Sequence, residues 1–330
     1  MARTRIFVAG ATGYIGRHAV RELVARGHEV VCLARARSGV GGGQDAAATR
    51  ASLAGAQVRF GDVTDPASVR DEGFCGERFD AVVSCLASRT GAPADAWAVD
   101  HRAQLHVLEA ARAAGAGHFV LLSAICVQRP KLAFQRAKLA FEDALVGSGL
   151  AWSIVRPTAF HKSLAGQVPR VKAGKPFVVF GDGELTACKP IAEPDLARFL
   201  ADCLEDPAKR DAVLPVGGPG PAITPRAQGE LLFELLGREP RFRHVPVALL
   251  DAIIGGLSVA GAVAPPLRAK AELARIGRFY ATESMLLWDG DRGYDAEATP
   301  SFGTITLRDF YGRVLREGLA GQELGDHAVF

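Results

Sequence analysis

Three glycines near the start of the chain have the spacing that binds the phosphates of a dinucleotide. Gly10, Gly13 and Gly16 follow an apolar run, and an amphipathic helical pattern begins directly after them. In such a strand–turn–helix unit the glycines permit a tight turn, close approach to a pyrophosphate and close helix packing. The N–H groups that open the helix favour anions. We expect cofactor binding by Gly10, Thr12, Gly13, Tyr14, Ile15 and Gly16, the alternative being a glycine turn without a ligand.

The end of the second apolar run indicates which nicotinamide cofactor is bound. NAD sites place Asp or Glu near this point, whereas an Arg accommodates the 2′-phosphate of NADP. This chain has no acid there but has Arg35, Arg37 and Ser38. Arg35 directly follows the predicted strand. We therefore expect Arg35 and Ser38 to bind the phosphate, and the cofactor to be NADPH.

Further binding residues are expected where other predicted strands end, because ligands of parallel sheets bind outside the carboxyl ends of the strands. Asp62 could accept a hydrogen bond from the adenine amino group, although a turn or a helix cap explains an Asp there equally well. Ser123 would lie at the nicotinamide end. The complete set is Asp62, Val63, Leu86, Ala87, Ser123 and Pro157.

The elements that must position these residues alternate between short apolar runs and helical segments. This alternation predicts an α/β fold with a Rossmann-type, doubly wound parallel sheet. Strands are expected near residues 5–9, 29–33, 57–60, 80–85, 118–123, 152–156 and 213–216, and helices near 14–26, 66–72, 95–114 and 131–147. Residues 1–160 would form the cofactor domain, with 190–217 returning to its sheet, and 161–330 mainly a smaller substrate-binding cap.

Composition narrows the class of protein. The chain has 330 residues, 48% of them hydrophobic, and a net charge of only +3, which suits a large core and gives no case for nucleic-acid binding. Its six cysteines are scattered without a CxxC pair, which is typical of reduced thiols and predicts no metal site. The N-terminal residues lead straight into the first strand, so we expect no signal or transit peptide.

Residues 245–266 are almost wholly apolar and about long enough to cross a bilayer, which takes about 20 residues. An internal acid, Asp251, two glycines and flanking prolines argue against a transmembrane span. We expect a buried or substrate-facing helical hairpin, with contact to a membrane surface as the alternative.

The stretch after the predicted fifth strand is similar to the catalytic helix of short-chain dehydrogenases. Those enzymes carry Tyr-x-x-x-Lys, a spacing that puts both side chains on one helix face. The resemblance implies that Lys138 holds the nicotinamide ribose, while Phe134 stands where the superfamily has its proton-donating Tyr. The chain is thus identified as an atypical member, either inactive or with a reaction that needs no Tyr.

Blocks along nearly the whole chain resemble the divinyl chlorophyllide (protochlorophyllide) a 8-vinyl-reductases, NADPH-dependent enzymes of chlorophyll and bacteriochlorophyll synthesis. They occupy residues 10–17, 83–89, 121–128, 134–138, 154–160, 187–191, 214–220 and 318–325. The N-terminal extension of plastid members is missing, which favours a bacterial, cytoplasmic form. His161 stands where an aromatic residue is expected.

The resemblance implies reduction of the 8-vinyl group of 3,8-divinyl chlorophyllide a to ethyl. Hydride addition to the outer vinyl carbon leaves negative charge that the macrocycle can spread, so the need for an adjacent acid is smaller than in carbonyl reduction. Lys138, Phe134 and Ser123 are the expected catalytic residues, with Phe134 as an apolar wall for the ring. The proton donor, the oligomeric state and the preference between chlorophyllide and protochlorophyllide stay open.

Substrate contacts are expected from four residues, Phe134, Phe160, Lys162 and Lys189. The two lysines could meet the propionate carboxylate, but solvated surface lysines are equally common. Cys126 is a weaker candidate for the proton donor, and His101, His161 and His244 are weaker candidates for a ligand of the chlorin magnesium.

Two other functions fit the same residues. One is a non-catalytic NADP(H)-binding sensor or assembly factor, which the absent Tyr permits but which has little use for Lys138. The other is a reductase of a different conjugated hydrophobic substrate, such as an isoflavonoid-like molecule. The small-molecule reductase, in peripheral contact with a photosynthetic membrane, is the favoured interpretation.

Overall fold

The computed structural model describes residues 4–37 and 43–318, apart from the side chains of residues 262, 263, 265 and 266. This part of the chain divides into two compact units. The first contains the chain up to Arg89, Pro93–Pro157 and Glu193–Pro215. The second contains Thr90–Ala92, Thr158–Ala192 and the residues from Val216 onward. The first unit is therefore assembled from three separate stretches of sequence.

The regular elements are named in chain order. The strands are β1 Arg5–Ala9, β2 Glu29–Ala34, β3 Gln57–Phe60, β4 Ala81–Ser84, β5 His118–Leu122, β6 Ala151–Pro157, β7 Phe177–Phe180, β8 Ala212–Val216, β9 Phe242–Val245, β10 Leu287–Asp289 and β11 Gly293–Asp295. The α-helices are α1 Gly16–Ala25, α2 Ala46–Ser52, α3 Pro66–Ser68, α4 Pro93–Ala96, α5 Gln104–Ala113, α6 Ala133–Val146, α7 Val168–Lys172, α8 Glu193–Glu205, α9 Pro225–Leu235, α10 Val247–Val263, α11 Pro265–Thr282 and α12 Leu307–Glu317.

Seven strands form one sheet in the order β3-β2-β1-β4-β5-β6-β8. All pairings from β3 through to β6 are parallel. This order confirms the predicted Rossmann-type α/β fold. The order reverses between β1 and β4, and in such sheets the ligand crevice lies at that reversal. The glycine turn after β1 therefore lies where a dinucleotide binds.

The continuous apolar runs become strands because both of their faces are buried. Residues 6–9 of β1 are fully buried. Phe7 stacks on Phe74 with ring centroids 4.0 Å apart, and Phe79 meets both rings edge-on. This aromatic packing holds the segment that carries Phe74 and Phe79 against the sheet.

The predicted helices occur, with three local differences. The helix expected near 66–72 consists of the short α3 and a π-helical stretch over Val69–Phe74. The helix expected near 14–26 begins only at Gly16, because residues 10–15 form the tight turn. The helix expected near 95–114 consists of α4, a π-helical stretch over Trp97–Ala103, and α5. The segment expected to return to the sheet does so as α8, which packs on α1.

The second unit has its own core. The short parallel pair β7–β9 packs with α7, α9 and α12 around buried aromatic residues, among them Phe233, Phe310 and Tyr311. The Tyr311 hydroxyl donates to the Leu164 carbonyl oxygen at 2.9 Å. Strands β10 and β11 pair as an antiparallel hairpin.

The apolar run at 245–266 takes part in a helical hairpin but is not wholly buried, so burial is the part of the expectation that was wrong. Most of it forms the single helix α10, which packs along α11 to make a helical hairpin. The outward face of α10 is not buried, since Leu249, Ile253 and Val259 are 51%, 43% and 76% exposed. Apolar content alone could not predict burial, because it does not say whether a neighbour covers each face. Among the described residues, no helix combines the length and apolar character needed to cross a membrane.

Candidate functional site

The turn after β1 can be made only with glycine at two positions. Gly10 has φ +75°, and a Cβ there would lie 2.6 Å from the Cys85 carbonyl carbon. A Cβ on Gly16 would lie 2.1 Å from the Gly10 carbonyl oxygen. The Gly13 N–H closes the turn by donating to that same oxygen at 3.0 Å. The turn therefore brings the start of α1 against the ends of β1 and β4, which fits a dinucleotide cradle.

The other predicted residues of the turn differ in exposure. Ile15 is buried, Thr12 and Tyr14 are half-buried, and Gly13 is exposed. An open backbone at Gly13 is what approach of a pyrophosphate requires. Ile15 contacts the core, so any contribution it makes to binding comes from its backbone.

The ends of β2 and β3 bring Arg35 and Asp62 into electrostatic contact. Arg35 is exposed, as a reader of a 2′-phosphate must be. The Asp62 carboxylate accepts from the Thr64 N–H at 2.9 Å and from the Thr64 hydroxyl at 2.8 Å. The Thr64 N–H first, then its hydroxyl and Arg35, hold the pKa of Asp62 below its ordinary value. Asp62 thus has the turn role that was the alternative interpretation, and its contact with adenine stays a prediction.

Other predicted cofactor residues are also placed at strand ends. Val63 follows β3, and its carbonyl oxygen is 3.2 Å from His106 Nδ1. Leu86 is buried and Ala87 exposed, directly after β4. Pro157 is the buried last residue of β6. Ser38 lies outside the described residues.

Lys138, the predicted ribose-binding residue, forms a buried ion pair that the sequence did not reveal. Its Nζ lies 2.9 Å from Asp100 Oδ1, and the two side chains are 10% and 1% exposed. The Ser88 N–H also points at Asp100 Oδ1, at 3.3 Å. Asp100 comes from the π-helical stretch before α5, and Lys138 from the middle of α6. One signal in the sequence could have found Asp100: it is a single acid on a helical face whose other residues are mostly apolar or neutral.

The Cys85 thiol near Lys138 is not a proton donor of ordinary acidity. Burial raises the pKa of the Cys85 thiol to about 12, with the positive charge of Lys138 opposing that rise. Cys126 is buried in the turn after β5. A buried cysteine usually behaves as a small hydrophobic residue, so a role of Cys126 as the proton donor stays a prediction.

Ser123 belongs to a second buried network. Its hydroxyl donates to Glu142 Oε1, and Arg156 binds the same carboxylate through Nη2 and, at 3.3 Å, through Nε. A hydroxyl has one proton to donate. Because that proton is directed to Glu142, Ser123 has only acceptor capacity left for a ligand. Its predicted role in catalysis stays a prediction.

Helix α6 presents the residues of both networks on one face. Phe134, Lys138 and Glu142 are four residues apart, the spacing that aligns side chains along a helix. All three are buried, Phe134 with 8% of its surface exposed. The sequence predicted the first two, whereas Glu142 and Arg156 were missed. Arg156 was detectable as a charge within the apolar run of β6.

The remaining predicted substrate residues are in the second unit. Lys189 Nζ donates to the Thr299 carbonyl oxygen at 2.9 Å, and the Ser301 hydroxyl is 3.4 Å away. Phe160 and Lys162 are half-buried. The Lys189 ammonium is thus used within its own unit, which weakens the expectation that it meets a carboxylate.

Two of the three histidines considered as magnesium ligands have hydrogen-bond partners, and the third, His101, lies with its ring 5.3 Å from that of Trp97. His161 is fully buried, with Nε2 3.1 Å from the Pro190 carbonyl oxygen and its ring 5.3 Å from that of Phe310. His244 Nδ1 lies 2.8 Å from the Gly181 carbonyl oxygen. Over residues 4–37 and 43–318 no cluster of three or more His, Cys, Asp or Glu side chains could hold a metal ion.

Comparison with known proteins agrees with this architecture. Residues 10–207 match the model of a family described as NAD(P)H-binding. The structure of the binary complex of leucoanthocyanidin reductase with NADPH from Vitis vinifera is similar, with a TM-score of 0.69, 16% identity and coverage of 95% of this chain and 100% of that one. At that identity the likeness shows the fold alone.

Two curated relatives are similar over almost the whole sequence. The chloroplastic divinyl chlorophyllide a 8-vinyl-reductase of Oryza sativa subsp. indica is 55% identical, covering 100% of this chain and 83% of the relative. The protein of the same name from Arabidopsis thaliana is 52% identical, covering 97% and 79%. With the NAD(P)H-binding match, this full-length identity means that the chain belongs to the divinyl chlorophyllide a 8-vinyl-reductase family.

Proposed function

We propose that this protein reduces the 8-vinyl group of 3,8-divinyl chlorophyllide a to an ethyl group, with NADPH as the reductant. The observation that carries the proposal is identity above 50% along nearly the entire chain to reductases of that name. The glycine turn and the buried Lys138 supply the matching binding chemistry. The same site would accept divinyl protochlorophyllide a, which presents the same vinyl group.

NADPH supplies the hydride when it is bound. The turn at Gly10 and Gly16 fits its pyrophosphate, since only glycine leaves room there. Arg35, together with Ser38, would hold the 2′-phosphate. Lys138 would donate hydrogen bonds to the nicotinamide ribose and so orient the ring for transfer. The full proposed cofactor set is Gly10, Thr12, Gly13, Tyr14, Ile15, Gly16, Arg35, Ser38, Asp62, Val63, Leu86, Ala87, Lys138 and Pro157.

Phe134, which replaces the usual Tyr, is compatible with reduction of a C=C bond. Hydride addition to the outer vinyl carbon puts negative charge on the inner carbon, where the conjugated macrocycle spreads it. No alkoxide forms, so hydride transfer does not need a phenol at position 134. The proton that completes the ethyl group would reach the inner carbon in a later step, from water or a nearby side chain, and Phe134 would line the ring with apolar surface. Phe134, Phe160, Lys162 and Lys189 are the proposed substrate contacts.

The decisive assay follows the visible spectrum of 3,8-divinyl chlorophyllide a mixed with the protein and NADPH, with NADH in a parallel reaction. The expected result is a blue shift of the Soret band and a product that co-elutes with the 8-ethyl pigment. A much slower reaction with NADH would support Arg35 as the phosphate reader. NADPH binding without a spectral change would instead support the non-catalytic sensor.

We also propose that the enzyme is cytoplasmic and associates peripherally with a photosynthetic membrane. The support is the exposed apolar residues of α10, where Leu249 and Ile253 are about one turn apart and Val259 lies six residues further on. Residues 238–282 contain seven Arg or Lys and three Asp or Glu, a net +4, whereas the whole chain has only +3. An apolar helix face within a basic region is typical of interfacial helices on anionic lipid.

Vesicle flotation tests this association. The wild type should float with vesicles containing phosphatidylglycerol and not with pure phosphatidylcholine. The double change Ile253→Glu and Val259→Glu should weaken binding at least about tenfold, because two apolar contacts are lost. Val213→Glu is the control, since Val213 is 41% exposed on β8. Equal binding by both variants, or no binding by the wild type, would contradict the proposal.

A further inference from the structure

The carboxylate of Asp100 is the most deeply buried charge next to the proposed active site. It is 1% exposed, and its Oδ1 receives both Lys138 Nζ at 2.9 Å and the Ser88 N–H at 3.3 Å. Its second oxygen, Oδ2, is buried and has no hydrogen-bond partner among the described residues. Burying an acid with one oxygen unsatisfied costs free energy, so stability alone is a poor reason for this side chain.

The local backbone is arranged around Asp100. It lies within the π-helical stretch Trp97–Ala103, which interrupts what would otherwise be one α-helix. Single π-helical turns inside α-helices are frequent at functional sites, because the extra residue re-aims the side chains. Four residues later, Gln104 Oε1 accepts from the Ser84 hydroxyl at 2.6 Å. That bond ties the helix to the end of β4, at the reversal in strand order.

The partner of Asp100 is a side chain that needs a fixed position. A Lys ammonium is a compact charge with three donors, carried on a flexible stem. Asp100 accepts one of those donors, which leaves two for hydroxyl groups of a ligand. The contact also gives the buried ammonium a countercharge, without which burial is expensive.

We propose that Asp100 is a positioning residue: it fixes Lys138 Nζ, and through Lys138 it sets the affinity for the nicotinamide nucleotide and the rate of reduction. The inference rests on the proposed function only in its second part. Nucleotide binding through Lys138 is testable whether or not the pigment is the substrate.

The test compares Asp100→Asn with Asp195→Asn. Asp195 is equally buried, belongs to the same unit and is paired with Arg198 on α8. NADPH affinity is measured by quenching of protein fluorescence. The values of kcat and KM are measured in steady-state assays with divinyl chlorophyllide a. Asp100→Asn should weaken NADPH binding and lower kcat by about tenfold each, a coupling typical of charged residues in contact. Asp195→Asn should leave both within twofold of wild type, about 0.4 kcal/mol or less.

A double-mutant cycle separates positioning from a structural role. In a Lys138→Met background, Asp100→Asn should cause no further loss of NADPH affinity or kcat, because its only route to the ligand is gone. Equal, additive losses in both backgrounds would overturn the proposal, as would an Asp100→Asn enzyme within twofold of wild type.

A second variant covers the case in which Asp100→Asn does not fold. Replacing the pair by Asp100→Leu with Lys138→Met leaves no unpaired buried charge, and apolar replacements of buried ion pairs are often neutral for stability. This variant should fold and bind NADPH as weakly as Lys138→Met alone. Tighter binding than Lys138→Met would contradict the proposal. If the wild type binds NADPH through Lys138 and Asp100 yet reduces no pigment, the assignment of the reaction fails and that of Asp100 stands.

Discussion

Helix α6 contributes to two buried ion pairs only one turn apart, and the two are built differently. At Glu142 both carboxylate oxygens are used, by Ser123 and twice by Arg156. At Lys138 the partner Asp100 keeps an unsatisfied oxygen. The Glu142 network is closed in the sense that both carboxylate oxygens have partners, whereas the Lys138–Asp100 pair is open because Asp100 Oδ2 has none among the described residues. We therefore expect the Glu142 network to maintain the fold and the Lys138 pair to serve the reaction.

Removing Lys138, the cation of the buried pair with Asp100, should have the largest effect on activity. Lys138→Met deletes the group proposed to orient the nicotinamide ribose, so kcat/KM should fall about 100-fold or more, as when an electrostatic donor is removed from an active site. Steady-state reduction of divinyl chlorophyllide a measures it. A loss of less than fivefold would mean that Lys138 is not the positioning group.

Breaking the network of Glu142, Ser123 and Arg156 should instead lower the free energy of unfolding. Glu142→Gln leaves Arg156 without its countercharge, and breaking a buried pair costs about 3 kcal/mol in the free energy of unfolding. Arg156 is 20% exposed, which moderates that cost. Urea denaturation monitors unfolding, while kcat per folded molecule should change less than threefold. A Glu142→Gln enzyme that is stable but inactive would mean that the Glu142 network serves the reaction and not the fold.

Ser123→Ala should have a smaller effect on both properties. It removes one hydrogen bond to Glu142, worth about 1 kcal/mol of unfolding free energy. Because the hydroxyl proton is already directed to Glu142, kcat should fall by no more than about threefold, since a neutral bond that is not aimed at the reacting atoms contributes little there. A loss as large as that of Lys138→Met would place Ser123 in the chemistry after all.

Phe134→Tyr should have the smallest effect on rate. If the macrocycle carries the developing charge, a new phenol has no alkoxide to protonate and kcat should stay within twofold. The added hydroxyl enters a position that is 8% exposed and should cost about 1 kcal/mol of stability when it lacks a partner. The same pigment assay and a urea titration measure both. A large gain in kcat would show that position 134 is a deficient acid site.

The sheet and the turn could be predicted because their causes are local. Runs of apolar residues define strands buried on both faces, so strand ends were predicted to within about two residues. Gly10 and Gly16 occupy the two positions of the turn at which a Cβ would clash with the backbone. Lys138 was predicted as a site residue from the resemblance to the catalytic helix of short-chain dehydrogenases, and that role stays a prediction.

The partners of these residues could not be predicted, because they are non-local. Asp100 and Lys138 are far apart in sequence and meet only after a π-helical stretch re-aims Asp100. Glu142 and Arg156 meet across α6 and β6. The exposure of Val259 depends on which face of α10 lacks a neighbour. Periodicity indicates that such faces exist but not what they contact.

The three-stretch composition of the first unit has a consequence during synthesis. Helix α8 and nearly all of strand β8, which complete that unit, lie in Glu193–Pro215, which is made after the whole of the intervening stretch Thr158–Ala192. At about 5–20 residues per second, roughly 3–12 s separate the emergence of Pro157 from that of Pro215. During that interval the nascent chain carries an uncovered α1 and an unpaired edge of β6. A ribosome-associated chaperone that binds exposed apolar surface would have its opportunity in those seconds.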